Sequence, residues 1–151
     1  VLRYELSTPR DVNFSLQTIG INTPRPQSGQ FNFIGYSWGA VIAARSALYY
    51  ANLQVEVDHL VLVGAPINLS LLRAVRTHAH IKNVIVIDLK QHGDPIYAGM
   101  SDAELITSVP TLASQMRSGT GEGHFYYAVE NGEGQNRRHL LARSLFQKGL
   151  R

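Results

Sequence analysis

The chain has 151 residues, of which 44% are hydrophobic and 17% charged, a composition typical of one globular domain rather than a disordered segment. Its net charge is +3, and because the basic residues are scattered along the sequence, nucleic-acid binding is not expected. The absence of cysteine excludes disulfides, a thiolate nucleophile and cysteine-based metal sites. Composition leaves the cellular compartment open.

The first part of the sequence predicts one strand and one helix. Residues 1–6 alternate between apolar and polar side chains, as a half-buried strand does. Thr8 and Asp11 have the spacing of a capping box, and Gly20 would end the helix that they begin. A loop rich in proline and glycine follows at 23–29.

The middle of the sequence alternates strands with helices. Apolar runs at 31–34, 59–63 and 83–87 predict three strands, of which the last two are continuous enough to be covered on both faces. Helices are predicted between them over about 38–51 and, from a capping asparagine, over 68–79. This order favours an α/β fold in which a mostly parallel sheet is flanked by helices.

Two more helices are predicted towards the end of the chain. A capping box at 101–104 introduces a helix that we expect to be interrupted near Pro110. A flexible glycine-rich stretch at 119–123 precedes the last helix, predicted over about 136–148. The only tight basic cluster, at 137–139, is interpreted as a solvated face of that last helix.

Residues 35–39 read G-x-S-x-G between the predicted strand at 31–34 and the helix that follows it. In this context the pattern predicts a nucleophile elbow, a sharp turn that exposes the serine hydroxyl. Small residues are expected on both sides of Ser37 because neighbouring backbone passes too close for a Cβ. The N–H of Trp38 would be the first oxyanion donor, and a loop after an earlier strand would supply the second.

A serine hydroxyl needs a base to accept its proton and an acid to orient that base. Two carboxylates follow the strand at 83–87, and Asp94, in a Gly-Asp-Pro turn, is favoured over Asp88 as the acid. The structural alternative for Asp94 is an Asx turn. Among six histidines, His124 is favoured as the base because a glycine-rich loop presents it after the serine and the acid; His92 is the main competitor.

Neither a metal nor a nucleotide cofactor is expected. His78 and His80 fall on a predicted helix two residues apart, so their side chains would diverge, and no carboxylate completes a metal site. No glycine-rich phosphate loop follows a strand.

Three segments together resemble the α/β-hydrolase superfamily, and within it the cutinase-like and small lipase/esterase branch. These segments are Gly35–Ala40, Gly93–Ile96 and Gly123–Tyr127. They are similar to the G-Y-S-x-G-A elbow, the G-D-P-I acid turn and the histidine followed closely by tyrosine of cutinase-like enzymes. The resemblance implies a three-layer α/β sandwich in which Ser37 is the nucleophile, His124 the general base and Asp94 the orienting acid.

Hydrolases of this kind place several strands before the elbow, whereas only 34 residues precede Gly35 here. We therefore expect residues 1–151 to be a single domain that forms the C-terminal part of a larger catalytic domain and lacks the N-terminal strands. A remaining N-terminal segment or a partner chain would complete it. The helix at 101–118, between acid and histidine, is a candidate lid.

The expected function is cleavage of carboxylic esters through an acyl-enzyme, with a lipid or other hydrophobic acyl ester as substrate. The lipid preference rests on the resemblance and on apolar residues near the expected mouth of the site: Ile96, Tyr97, Met100, Leu105 and Ile106. Ordinary core packing is the alternative for that set. The alternative functions are a thioesterase or acyltransferase using the same triad, and a non-catalytic binding module derived from the hydrolase fold.

Overall fold

The computed structural model of the protein describes residues 29–151, so the strand and helix predicted before residue 29 lie outside the described residues. Three strands form a parallel sheet in the order β1-β2-β3. They are β1 (Asn32–Tyr36), β2 (Val57–Val63) and β3 (Ile81–Ile87). All three predicted strands are confirmed: β1 begins one residue later and ends two residues later than predicted, and β2 and β3 each begin two residues earlier.

Within residues 29–151, four α-helices accompany the sheet: α1 (Trp38–Asn52), α2 (Leu69–Thr77), α3 (Asp102–Ser118) and α4 (Gly132–Gln147). Single 3₁₀ turns lie at Lys90–His92 and Gly123–Phe125. Between residues 29 and 151, no helix has both the length and the apolar character that crossing a membrane requires.

One face of the sheet is covered by α1 and α2. Side chains alternate along the strands, so Phe33, Leu60 and Leu62 point to this face and pack in one buried cluster with both helices. The sheet-facing side of α1 is a row of fully buried alanines, Ala40, Ala44 and Ala47. Such small side chains let the helix axis lie close to the strands.

The opposite face is covered by the C-terminal part of the chain. Val61 and Val63 form a second buried cluster with Leu145 of α4 and with Leu150 beyond it. The end of the chain is also attached to the start of β1, because the Gln30 side chain donates to the Gly149 carbonyl at 2.8 Å. Helices therefore flank the parallel sheet on both faces, as the alternating sequence pattern predicted.

Two predicted helix boundaries are wrong. Helix α2 ends at Thr77, so His78 and His80 lie in the turn before β3, where His78 Nδ1 accepts from the His80 N–H at 3.2 Å. Helix α4 begins four residues earlier than predicted, because the Asn131 side chain caps it by accepting from the Gly134 N–H.

The predicted interruption at Pro110 is also wrong. Helix α3 runs through this proline from a complete capping box, made by Ser101 and Glu104, to a left-handed Gly119 at its C-terminal end. A proline inside a helix removes one backbone hydrogen bond. Pro110 lies on an exposed part of α3, where water can satisfy the carbonyl that loses its partner.

Helix α1 comes closest to β1 at Gly35. A Cβ on Gly35 would overlap the Cα of Ala40 and the carbonyl oxygen of Gly39, both of which are backbone atoms that cannot rotate away. A Cβ on Gly39 would have no atom of residues 29–151 within 4 Å. Of the two glycines in the G-x-S-x-G pattern, only Gly35 is therefore required sterically within the described part of the chain.

We predict that Gly35→Ala destabilises the fold by on the order of 3 kcal/mol, since the added methyl forces α1 away from β1. Gly39→Ala, at the second position of α1, should change stability by less than about 1 kcal/mol. Urea unfolding of both variants measures the difference. Equal losses of stability in the two variants would contradict this account of the contact.

Candidate active site

The carboxyl ends of the strands meet at one edge of the sheet. Tyr36 pairs with Val63 and Val63 with Ile87, so the three strands end at the same level. Beyond this level the backbone pairing continues, because the Ser37 N–H donates to Val63 and the Gly64 N–H donates to Ile87, both at 2.9 Å. The residues that follow the strands are therefore fixed relative to one another.

Ser37 forms the turn between β1 and α1 in a strained conformation. Its φ is 55° and its ψ −130°, a left-handed φ that residues with a side chain rarely adopt. Such a conformation costs about 1–3 kcal/mol and persists only where the surroundings impose it. Here the close contact at Gly35 imposes it, and the turn leaves the Ser37 side chain accessible at the edge of the sheet.

The structure brings together the three residues that the sequence suggested as a triad. Ser37 Oγ lies 2.6 Å from His124 Nε2, and His124 Nδ1 lies 2.9 Å from Asp94 Oδ2. His124 and Asp94 are buried, with exposed fractions of 6% and 4%, whereas Ser37 is half-buried. The result is a continuous hydrogen-bonded chain from a buried carboxylate to an accessible hydroxyl.

The two oxygens of Asp94 have separate partners. Oδ1 accepts from the Ile96 N–H at 2.8 Å, which is the Asx turn offered as the structural alternative, while Oδ2 faces His124. Both interpretations of Asp94 therefore describe the same carboxylate, and the turn holds it in place. Asp88 instead accepts from the Ala98 N–H at 3.0 Å, so the structure brings Asp94 rather than Asp88 to the histidine.

The competing histidine, His92, has a different environment. Its ring stacks on Tyr126 with centroids 3.6 Å apart, and the guanidinium of Arg137 lies 4.0 Å from the same tyrosine ring. At these distances the His92 ring and the Arg137 guanidinium cannot lie on the same face of the Tyr126 ring, so the tyrosine is held between them. His92 thus packs against the loop that carries His124 rather than approaching Ser37.

Tyr36 supports His124 in a way that the sequence did not reveal. Its hydroxyl donates to the backbone carbonyl of His124, and its ring stacks on the imidazole at 5.7 Å between centroids. Burial raises the pKa of the Tyr36 hydroxyl well above its ordinary value, and the Asp94 carboxylate raises it further. The hydroxyl therefore stays protonated and remains a donor.

Gly64, directly after β2, leaves room for the acid–histidine pair. Its φ is +50°, and a Cβ there would lie 3.2 Å from Asp94 Oδ2 and 3.6 Å from the His124 ring. The sequence pattern indicated only that a strand stops at this glycine. The position of this glycine, immediately after a buried strand, is the one feature of the sequence that could have indicated this role.

The basic cluster at 137–139 is not simply a solvated helix face. Arg137 and Arg138 reach from α4 to the loop that carries His124, and the Arg137 side chain is only 10% exposed. Together they donate to four carbonyls of that loop, those of Gly121, Tyr126, Tyr127 and Val129. The interpretation from sequence is therefore wrong for Arg137, whereas Arg138 and His139 are exposed as it predicts.

Trp38 opens α1 directly after Ser37, so its N–H belongs to the first helical turn and has no intrahelical partner. Its side chain is 47% exposed. The second oxyanion donor is expected from a loop after an earlier strand, and the residues that precede β1 up to residue 28 lie outside the described part of the chain.

A cleft of about 1160 Å³ opens beside Ser37 and His124. Part of its wall is apolar, formed by Ile34, Tyr36, Val63, Phe125, Tyr127, Ala128 and Leu141, and part is polar, formed by Glu130, Asn131, Gln135 and Arg138. Of the apolar residues expected near the mouth, Ile96 and Met100 belong to the buried core instead. The apolar wall of the cleft thus comes from the sheet, the histidine loop and Leu141 of α4.

No group of three or more His, Asp or Glu side chains among residues 29–151 is placed to hold a metal ion. Comparisons of the chain with protein-family models, curated proteins and solved structures found no match.

We predict that Gly64→Ala weakens the Asp94–His124 contact in addition to costing about 1–2 kcal/mol for a left-handed alanine. Gly119→Ala is the matched control, because Gly119 has a similar φ of +64° and no atom within 4 Å of its Cβ position. Urea unfolding and the downfield Nδ1–H proton signal of His124 are measured for both. An unchanged histidine signal in Gly64→Ala would show that the glycine makes no room for the pair.

Proposed function

We propose that this protein is a serine hydrolase that cleaves carboxylic esters through an acyl-enzyme on Ser37. The observation that carries the proposal is the hydrogen-bonded chain from Ser37 through His124 to Asp94, formed at a strained strand-to-helix turn. At 2.6 Å, the imidazole nitrogen is within reach of the proton that the hydroxyl must lose when it attacks a carbonyl. No residue of this chain has an equally complete set of partners for nucleophilic attack within the described residues.

The mechanism follows from the partners of each atom. Ser37 Oγ attacks the ester carbonyl carbon while His124 Nε2 accepts the hydroxyl proton. The negative charge on the carbonyl oxygen is stabilised by the N–H of Trp38 at the start of α1. Collapse of the tetrahedral intermediate breaks the bond to the alcohol, which takes the proton from His124, and water then releases the acid by the same steps.

Asp94 orients the histidine. Its Oδ2 accepts from Nδ1–H, which leaves Nε2 free to act as the base, and it stabilises the imidazolium that forms. Because the Asx turn holds the other oxygen, the carboxylate cannot rotate away from the ring. Tyr36 fixes the histidine backbone from a second direction.

The finer fold assignment is part of the same proposal. A three-stranded parallel sheet with helices on both faces is the layout around the elbow of an α/β-hydrolase-like three-layer sandwich. Among residues 29–151, β1 pairs only with β2, so its other edge is available for further strands. We propose that strands from outside residues 29–151 complete the sheet at this edge of β1.

The cleft supports a hydrophobic acyl ester, including a lipid ester, as the substrate class. Its apolar wall includes Ile34 and Val63 on the sheet and Phe125 beside the base, next to the serine that would carry the acyl group. The polar residues of the cleft lie on the segment from Glu130 to Arg138, where the more hydrated part of a substrate would be accommodated.

The first test is hydrolysis of p-nitrophenyl esters of increasing chain length. Ser37→Ala is expected to lower kcat by at least about 1000-fold, since it removes the nucleophile. Ser46→Ala is the control, because this buried serine hydroxyl of α1 has no hydrogen-bond partner among the described residues. If the folded wild-type chain hydrolyses no ester and an active-site phosphonate does not label Ser37, the protein is a non-catalytic module and the proposal is wrong.

The second test separates the two carboxylates. Asp94→Asn is expected to lower kcat/KM by about 1000- to 10,000-fold, because an amide at this position no longer favours the histidine tautomer that can act as base. Asp88→Asn keeps an acceptor for the Ala98 N–H and should change kcat/KM less than about threefold. Steady-state kinetics with one soluble ester compare them, and a larger loss in Asp88→Asn would reverse the assignment.

A further inference from the structure

Gln115, in the C-terminal part of α3, hydrogen-bonds both loops that carry the acid and the base. Its Nε2 donates to the carbonyl of Gly93 at 2.8 Å, and its Oε1 accepts from the N–H of His124 at 3.0 Å. Gly93 directly precedes Asp94. One side-chain amide therefore joins two loops whose functional residues are 30 positions apart in the sequence.

The space for this amide is provided by Gly123. A Cβ on Gly123 would overlap the Gln115 amide group, and the φ of Gly123 is +60°. Gly123 therefore suits this contact both in backbone conformation and in size. The glycine before His124 and the glutamine on α3 form one packed unit.

The chemistry of an amide fits this position better than that of a carboxylate. The Gly93 carbonyl needs a donor and the His124 N–H needs an acceptor, and a glutamine amide supplies both from one planar group. A glutamate could accept from the His124 N–H but would place a carboxylate oxygen against the Gly93 carbonyl. The bond to Gly93 can therefore be removed by substitution while the bond from the His124 N–H is kept.

With Tyr36, Gln115 holds both polar groups of the His124 backbone. The N–H of His124 donates to Gln115, and its carbonyl accepts from the Tyr36 hydroxyl. The imidazole is consequently positioned by anchors on α3 and on β1 as well as by Asp94. Helix α3, which the sequence suggested as a lid, is attached to the acid and histidine loops through this glutamine.

We propose that Gln115 is a positioning residue that sets the placement of His124 against Asp94 by bridging the Gly93 carbonyl and the His124 N–H. Its effect on catalysis rests on the proposed function, whereas its effect on the Asp94–His124 contact does not. Misplacement of a catalytic group by about 1 Å can lower a rate by about 100-fold, so the bridge matters for turnover.

The test compares Gln115→Met, which removes both bonds, and Gln115→Glu, which removes only the donor to Gly93. Gln147→Glu, at the exposed end of α4, is the control for the change in charge. The readout is the downfield Nδ1–H proton signal of His124 in the full chain, assigned by its loss in His124→Gln. We expect the signal to be lost or shifted in Gln115→Met, less affected in Gln115→Glu and unchanged in Gln147→Glu.

Ester kinetics provide the second readout. Gln115→Met should lower kcat by about 10- to 100-fold with KM within about twofold of wild type, because the nucleophile and cleft remain while the base is displaced. A merely structural role would lower the unfolding midpoint without this division between kcat and KM.

The outcomes separate this inference from the proposed function. If folded Gln115→Met keeps the wild-type His124 signal, or if the folded wild-type protein has no such signal, the positioning role is wrong. If the signal responds to Gln115→Met but no ester is hydrolysed, the positioning role stands and the proposed function is wrong. Should Gln115→Met fail to fold, the His124 signal of Gln115→Glu is compared with that of Gln147→Glu. A shift in Gln115→Glu alone supports the positioning role, and identical signals in the two variants overturn it.

Discussion

Direct backbone contact between helix α1 and strand β1 at Gly35 is the constraint on which the site depends. With no side chain between them, the chain must leave the strand and enter the helix within one residue, and Ser37 takes a φ of 55° to do so. The row of buried alanines along α1 stabilises the contact over about two turns. Packing of the core thus offsets the local strain that exposes the serine hydroxyl.

The same edge of the sheet gathers the other groups because the strands are parallel and end level. Asp94 follows β3, and Gly64, which leaves space for its carboxylate, follows β2. The loop that carries His124 lies against both. His124 is then held by Asp94 on its ring and by Gln115 and Tyr36 on its backbone. The buried Asp94 carboxylate faces a ring nitrogen of His124, which lowers the cost of burying it.

Much of the layout was predictable because the signals are local. Strand runs, the caps at Asn68 and Ser101, and the glycine pattern around Ser37 all lie within short windows of sequence. The start of α4 was missed because Gly132 and Gly134 weaken the helical pattern there, although Asn131 is a standard capping residue. At Pro110, the stability contributed by the rest of helix α3 exceeds the cost of the one backbone hydrogen bond that the proline removes.

The supporting residues of the site were not predictable in the same way. Tyr36 lies 88 positions from the histidine whose carbonyl it binds, and nothing near either residue signals the pairing. Gln115 resembles any polar residue on an amphipathic helix until the fold places it between two loops. Gly64 reads as a strand end because its role depends on side chains from distant loops. Contacts of this kind arise only from the tertiary arrangement.

Trp38 gives the site a property unrelated to its chemistry. It is the only tryptophan in the chain, it directly follows Ser37, and nearly half of its side chain is exposed. Excitation at wavelengths that avoid the seven tyrosines therefore yields fluorescence from this position alone. The emission of the unlabelled protein is an optical report on the turn between β1 and α1, including its solvent exposure and any molecule that settles against it.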